Sequence, residues 1–146
     1  MSTPDFSLHP NLEATSDRLA DLPLSQARLQ LDARFPWIVL IPRRAGAGEI
    51  DDLSPEDRAR LMEEISLASV AVRAIGEALG RPVEKLNVGA LGLVTPQLHV
   101  HVLGRRRDDG LWPDPVWGRG APIAYAHGVL DHAKAAALAA LKSCLL

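Results

Sequence analysis

The sequence predicts an α+β fold: an antiparallel sheet of about five strands, one long central helix and a C-terminal helix. Three observations predict it. Strand-like runs come in pairs before and after one long helical stretch, not in the strict alternation of a doubly wound sheet. Trp37-Ile38-Val39-Leu40-Ile41 is an unbroken apolar run between Pro36 and Pro42, the pattern of a central strand buried on both faces. Apolar residues at Leu61, Ile65, Ala68, Val72, Ile75 and Leu79 recur in steps of four and three, which marks one face of a helix.

The elements follow in chain order. Residues 8–14 suit a short helical turn. Arg18 to Leu22 is a strand candidate. Ser25 to Asp32 alternates, with Ala27, Leu29 and Leu31 on one face and Gln26, Arg28, Gln30 and Asp32 on the other. That reads as a half-buried strand, joined to the Trp37 run as a hairpin. Ser54 is placed to cap the long helix, Pro55 to occupy its first position, and Glu56 and Asp57 to favour its dipole. Gly80, Arg81 and Pro82 end it. Val83 to Ala90 is a strand, Gly92 to Pro96 its turn, and Gln97 to Val102 a second strand. Residues 104–122 are irregular and rich in proline and glycine. A final helix runs from about Leu130 to Leu145.

At 146 residues and 15.7 kDa the chain fits one domain. Hydrophobic residues at 47% and charged residues at 23% exclude a disordered or fibrous chain. The net charge of −2 points to neither a nucleic-acid polymer nor a membrane surface as partner. A lone cysteine, Cys144, excludes an internal disulfide, and nothing around it predicts a nucleophile. The opening MSTPDFSLHP lacks the basic and apolar regions of a signal peptide. The uncharged stretch 86–104 is too rich in glycine and polar residues to insert in a bilayer. The expected location is the cytoplasm.

The informative segment is Gln97-Leu98-His99-Val100-His101-Val102-Leu103. On a strand, alternate side chains share a face at a spacing of about 6.6–6.8 Å. Gln97, His99 and His101 then form one polar row, while Leu98, Val100 and Val102 face the core. Three readings fit that row: a solvated sheet face, a metal-chelating pair, or a catalytic or anion-binding site. The metal reading lacks partners, since no Cys, Asp or Glu lies within five residues and His127 and His132 are distant in sequence.

This segment, followed by Gly104-Arg105-Arg106, resembles the signature strand of the histidine triad (HIT) superfamily, His-x-His-x-His with apolar residues between. The preceding hairpin, long helix and strand-turn-strand agree, so the likeness covers about residues 12–106, with 107–146 as a C-terminal loop and helix of the same single domain, 1–146. The resemblance implies an α+β homodimer that binds purine nucleotides and needs no cofactor or metal. It implies reaction at the α-phosphate of a dinucleoside polyphosphate or nucleoside phosphoramidate. His99 stands where the family has its nucleophile, and His101 where a histidine contacts phosphate oxygens. Asp32 falls near the ribose-binding acid or amide. Asn87 matches an asparagine near the phosphates. Gly92 matches a turn glycine whose neighbourhood offers backbone N–H groups, with Leu93 and Val94 replacing the usual Gln and Ser.

Two departures stand out. Gln97 occupies the first histidine of the motif, and Trp37 a further family histidine on the central strand. A nucleophilic imidazole needs one nitrogen free and the other proton held, often by a backbone carbonyl, and His99 can satisfy that. Gln97 can bond to a phosphate oxygen or a leaving group but cannot relay a proton near pH 7. The expected substrates are therefore those with good leaving groups, such as a nucleotide or pyrophosphate. The expected function is a nucleotide phosphohydrolase or nucleotidyl transferase. A nucleotide-binding module with little turnover is the first alternative, and a metal-binding protein the second. Arg105, Arg106 and Arg107, with Arg43 and Arg44, are read either as a rim steering polyphosphate or as solvated turns with acidic partners. Trp112 and Trp117 are read either as a lid over the domain's own core or as a base-stacking pair.

Overall fold

The structure is a computed structural model that describes residues 5–145, with side chains to Ser143. Cys144, expected to play no part in chemistry, has its side chain outside the described residues. In chain order come α1 (Pro10–Thr15), β1 (Ser16–Asp21), β2 (Ser25–Gln30), β3 (Trp37–Pro42), a 3-10 turn (Ile50–Asp52), α2 (Pro55–Ala78), β4 (Lys85–Gly89), β5 (Val100–Arg105) and α3 (Val129–Leu145). The five strands form one antiparallel sheet in the order β1-β2-β3-β5-β4. This is the α+β architecture the element order predicts.

Local chemistry accounts for the elements. Ser54 Oγ accepts from the Asp57 N–H at 3.1 Å and Pro55 opens α2. Gly80, at φ +72°, stops the helix in a conformation that side chains rarely adopt. Leu61, Ala68, Val72 and Ile75 of α2 pack on Ala27, Leu29, Ile38, Leu40, Val100 and Val102 of the sheet. The last helix, α3, adds Ala133, Ala137 and Leu141 to the same core. Glu64 departs from the apolar stripe. Its buried carboxylate accepts from the N–H groups of Leu24 and Ser25 at 2.7 and 2.9 Å, tying α2 to the β1–β2 turn.

The opposite face of the sheet is covered as well, which the alternating pattern of β2 does not predict. A second cluster joins Leu12, Phe35, Trp37, Val39, Ile41, Leu103 and Val116, with Phe6, Leu8, Leu111 and Trp117 packed against it. The N-terminal segment and the loop after β5 thus cover this face. Arg28, expected on a solvated face, is buried there and held by Ser16 and Gln26.

The motif strand also differs from expectation. β5 begins at Val100, not at Gln97. The β3–β5 register pairs Leu40 with Val100, which sets Pro42 opposite Leu98. Proline has no N–H to give the ladder, so pairing stops there. Leu98 instead donates to the Ala47 carbonyl at 3.0 Å, and residues 97–99 lead into the strand outside its ladder. Only His101 of the polar row stands on the ladder proper.

Candidate functional site

His99 and His101 lie side by side on the face covered by the N-terminal segment and the loop after β5. Their rings are 5.0 Å apart, edge to face. His99 is buried, and its Nδ1 lies 2.7 Å from the carbonyl oxygen of Gln97. A carbonyl oxygen only accepts, so Nδ1 carries the proton, and in the neutral ring Nε2 keeps its lone pair. This is the fixed tautomer of a nitrogen nucleophile, the second nitrogen holding its proton on an acceptor. His99 also lines a narrow cleft with Gly48, Glu49, Gly92 and Leu98.

His101 is held differently. In the sheet it is flanked by Val39 on β3 and Gly89 on β4. The absence of a side chain at Gly89 admits Trp117, whose ring would be 3.1 Å from any Cβ placed there. Trp37 donates its indole N–H to Nδ1 of His101 at 3.0 Å. An indole N–H can only donate, so Nδ1 of His101 is the acceptor and the ring proton sits on Nε2. Burial, and to a lesser degree the charge of His99, bring the His101 pKa down to about 4. His101 is therefore a neutral hydrogen-bond donor near pH 7. A lone-pair nitrogen and an adjacent N–H donor are what attack on an electrophile with nearby oxyanion charge requires.

The other expected residues are placed as follows. The Gln97 amide, expected to face a ligand, is occupied by the N-terminal segment. Its Oε1 accepts from the His9 N–H at 2.9 Å and its Nε2 donates to the Ser7 carbonyl at 2.8 Å. Gly92 takes φ +68° and lines the cleft beside His99, whereas the Leu93 and Val94 side chains stand out in solvent. Asn87 Oδ1 accepts from Arg105 and its Nδ2 donates to the Leu86 carbonyl. Asp32 lies four residues beyond Arg28, the β2 residue in the same row as His101. Its carboxylate takes four hydrogen bonds from Arg34, one from the backbone N–H and three from the guanidinium, and one from the Ile123 N–H. Burial raises its pKa, but those partners outweigh it and hold the carboxyl below its usual range.

The arginines have acidic partners, but Arg105 departs from the reading as a solvated turn, since it ends β5 and is buried. Arg105 is buried against Asp109 at 2.7 Å, Arg106 pairs with Asp108, Arg107 with Glu84, and Arg44 with Asp57. Trp117 belongs to the core cover over His101, while Trp112 lies beneath Arg107, 5.5 Å from its guanidinium.

Two features of the site escape the sequence. One is the segment Ser7–His9, brought to Gln97 across 88 to 90 residues of chain. The other is the Trp117 indole N–H, buried and without a hydrogen-bond partner among the described residues. The tryptophan itself is visible in the sequence, but its place above Gly89 depends on how the loop folds back. Among the described residues no three His, Cys, Asp or Glu side chains are grouped to hold a metal ion. No helix of the described residues is long and apolar enough to cross a membrane.

Known proteins share this fold. The family model of the HIT domain matches residues 11–108. A histidine triad protein from Bradyrhizobium japonicum is similar in structure, with 41% identity, a TM-score of 0.86, and coverage of 94% of this chain and 99% of that one. One from Sinorhizobium meliloti shows 38% identity and a TM-score of 0.84, covering 93% and 97%. One from Marinobacter aquaeolei shows 36% identity and a TM-score of 0.86, covering 96% and 98%. No curated protein matches the chain.

Proposed function

Because the chain belongs to the histidine triad (HIT) family, we propose that it is a nucleotidyl hydrolase or transferase acting at the α-phosphate of a purine nucleotide derivative, with His99 as nucleophile. The observation that carries this reading is the 2.7 Å contact between His99 Nδ1 and the Gln97 carbonyl, which makes Nε2 the bare nitrogen of the neutral ring. Nε2 gives its electron pair to phosphorus as the bond to the leaving group breaks. The leaving oxygen takes that bond's pair. The imidazole becomes a cation whose Nδ1–H stays on the Gln97 carbonyl. Water, or an acceptor alcohol in a transferase, then attacks phosphorus. The N–P bond breaks, its pair returns to Nε2, and the attacking oxygen's proton goes to solvent.

His101 donates its Nε2–H to a phosphate oxygen, where negative charge grows during attack. The turn at Gly92, Leu93 and Val94 supplies backbone N–H groups at the mouth of the cleft. Asp32 and Asn87 reach ribose and phosphate only by exchanging their present partners, Arg34 and Arg105. No cofactor enters this chemistry.

We further propose that the protein works as a homodimer. The outer edge of β4 is unpaired among the described strands, and Val88, Leu91, Leu93 and Val94 are exposed near it. Light scattering on purified protein, giving twice the chain mass, is the expected result.

Incubation with diadenosine tetraphosphate and with adenosine phosphoramidate tests the function. Nucleoside monophosphate is expected from at least one of them and is abolished in His99→Ala. Tight nucleotide binding without product would favour a binding module instead. The covered face and the narrow cleft beside His99 are the observations on that side.

A further inference from the structure

We propose that Trp37 holds His101 as a permanent hydrogen-bond donor, so that the histidine pair supplies no general acid and selects phosphorus substrates whose leaving group departs unprotonated. The tautomer half of this inference stands on geometry alone. The substrate half rests on the proposed chemistry of His99.

The indole N–H of Trp37 and Nδ1 of His101 are 3.0 Å apart. Protonating His101 would set two N–H groups against each other at that distance and leave a buried indole donor without an acceptor. Trp37 cannot turn aside to relieve this. It is buried on the central strand, meets Phe35 edge to face at 6.3 Å, and is packed in the cluster with Val39, Ile41 and Leu103. The groups facing His101 give an imidazolium no help. β3 presents Trp37 and Val39, β4 presents Gly89, the loop after β5 presents Trp117, and β5 itself adds Leu103. The one titratable neighbour is His99, whose positive charge during the reaction would oppose a second one. The nearest guanidinium along the row, Arg28 beyond Val39, adds positive charge and not negative.

The leaving group must therefore carry its own electron pair away. When Nε2 of His99 bonds to phosphorus and a P–O bond of a phosphoanhydride breaks, the released phosphate oxygen holds that pair as a stable anion and needs no proton. When the bond broken is P–N, the amine would leave as a strongly basic anion unless a proton arrives during the step. His101 holds its Nε2–H as a donor without excess acidity, and the Gln97 amide is committed to Ser7 and His9. The geometry thus points to nucleotides bearing a phosphate or polyphosphate leaving group and away from phosphoramidates.

Two measurements on the full chain test this. Long-range proton–nitrogen NMR of histidine-labelled protein is expected to show His101 with Nδ1 bare and Nε2 protonated near pH 7, with no titration until the pH falls toward its low pKa. Trp37→Phe should release it into a mixture of tautomers that titrates higher. Trp37→His provides a second variant should the first fold poorly, and the wild-type spectrum needs no variant at all. A protonated Nδ1 or an imidazolium near pH 7 would overturn the tautomer lock. In kinetics, kcat/KM for diadenosine tetraphosphate should exceed that for adenosine phosphoramidate by on the order of 10²-fold, the usual contribution of a missing acid. Equal values, or the reverse order, would overturn the selectivity. Trp37→Phe should narrow the ratio by raising kcat for the phosphoramidate, which a merely structural role would not do. Loss of turnover on both substrates, with the NMR signature intact, would instead count against the function proposed for His99.

Discussion

Replacing Gln97 with alanine should detach the N-terminal segment from the histidine-bearing face. Two hydrogen bonds disappear, one from the His9 N–H at 2.9 Å and one to the Ser7 carbonyl at 2.8 Å. Each contributes about 1 kcal/mol net, so the pair is worth about 2 kcal/mol. Because both bonds fall within residues 7–9, the loss should appear first as local opening and only partly as global instability. A local change of about 2 kcal/mol lowers hydrogen-exchange protection roughly thirtyfold. The His9 amide is the reporter, because its acceptor is the deleted side chain. Phe6 and Leu8, which pack on the same cluster, should loosen with it, and protease should cut residues 5–9 faster in Gln97→Ala. The Leu98 amide, held by the Ala47 carbonyl, should keep its protection and serves as the internal control. Unchanged exchange at His9, with unchanged urea stability, would refute the assignment of Gln97 as a tether. It would return that amide to the role of a ligand contact.

Other perturbations have equally definite outcomes. Burial opposes ionisation of Asp109, but Arg105 and the backbone N–H groups of Leu111, Arg106 and Trp112 prevail and lower its pKa from 3.8 to about 2. A depressed carboxyl stabilises the fold above its unfolded pKa, so acid unfolding should show about 2 kcal/mol lost as the pH falls from about 4 to 2. Asp109→Asn strands the buried Arg105 charge; it should cost about 3 kcal/mol near neutral pH by urea denaturation and flatten that acid limb. Glu64→Ala leaves the N–H groups of Leu24 and Ser25 without acceptors and should lower stability by roughly 2–4 kcal/mol, again read by urea denaturation.

Much of the fold was legible because its signals are local. The Ser54–Pro55 cap, the spacing from Leu61 to Ile75 and Gly80 together mark α2 within a residue of its observed ends. The apolar run of β3 announces a central strand, and all six of its residues are buried. The start of β5 was not legible, because it is set by Pro42, more than fifty residues away, meeting Leu98 across the β3–β5 register. Arg28 looked solvated for the same kind of reason: what covers it comes from elsewhere in the chain. The tautomer of His99 could be anticipated, since the carbonyl that fixes it lies two residues back. The partners of Gln97, Asp32 and Asn87 could not. Ser7, His9, Ile123 and Arg105 reach them only through long-range packing. A motif displays which side chains are present; whether they are free to meet a ligand is decided by the segments folded over them.

The most direct test of the central claim is a quenched reaction of wild-type protein with diadenosine tetraphosphate, digested and read by mass spectrometry. A nucleotidyl group on His99, labile in acid and gone in His99→Ala, is the predicted result. Product release with no adduct on any histidine, or an adduct on His101 with His99 unmodified, would contradict it.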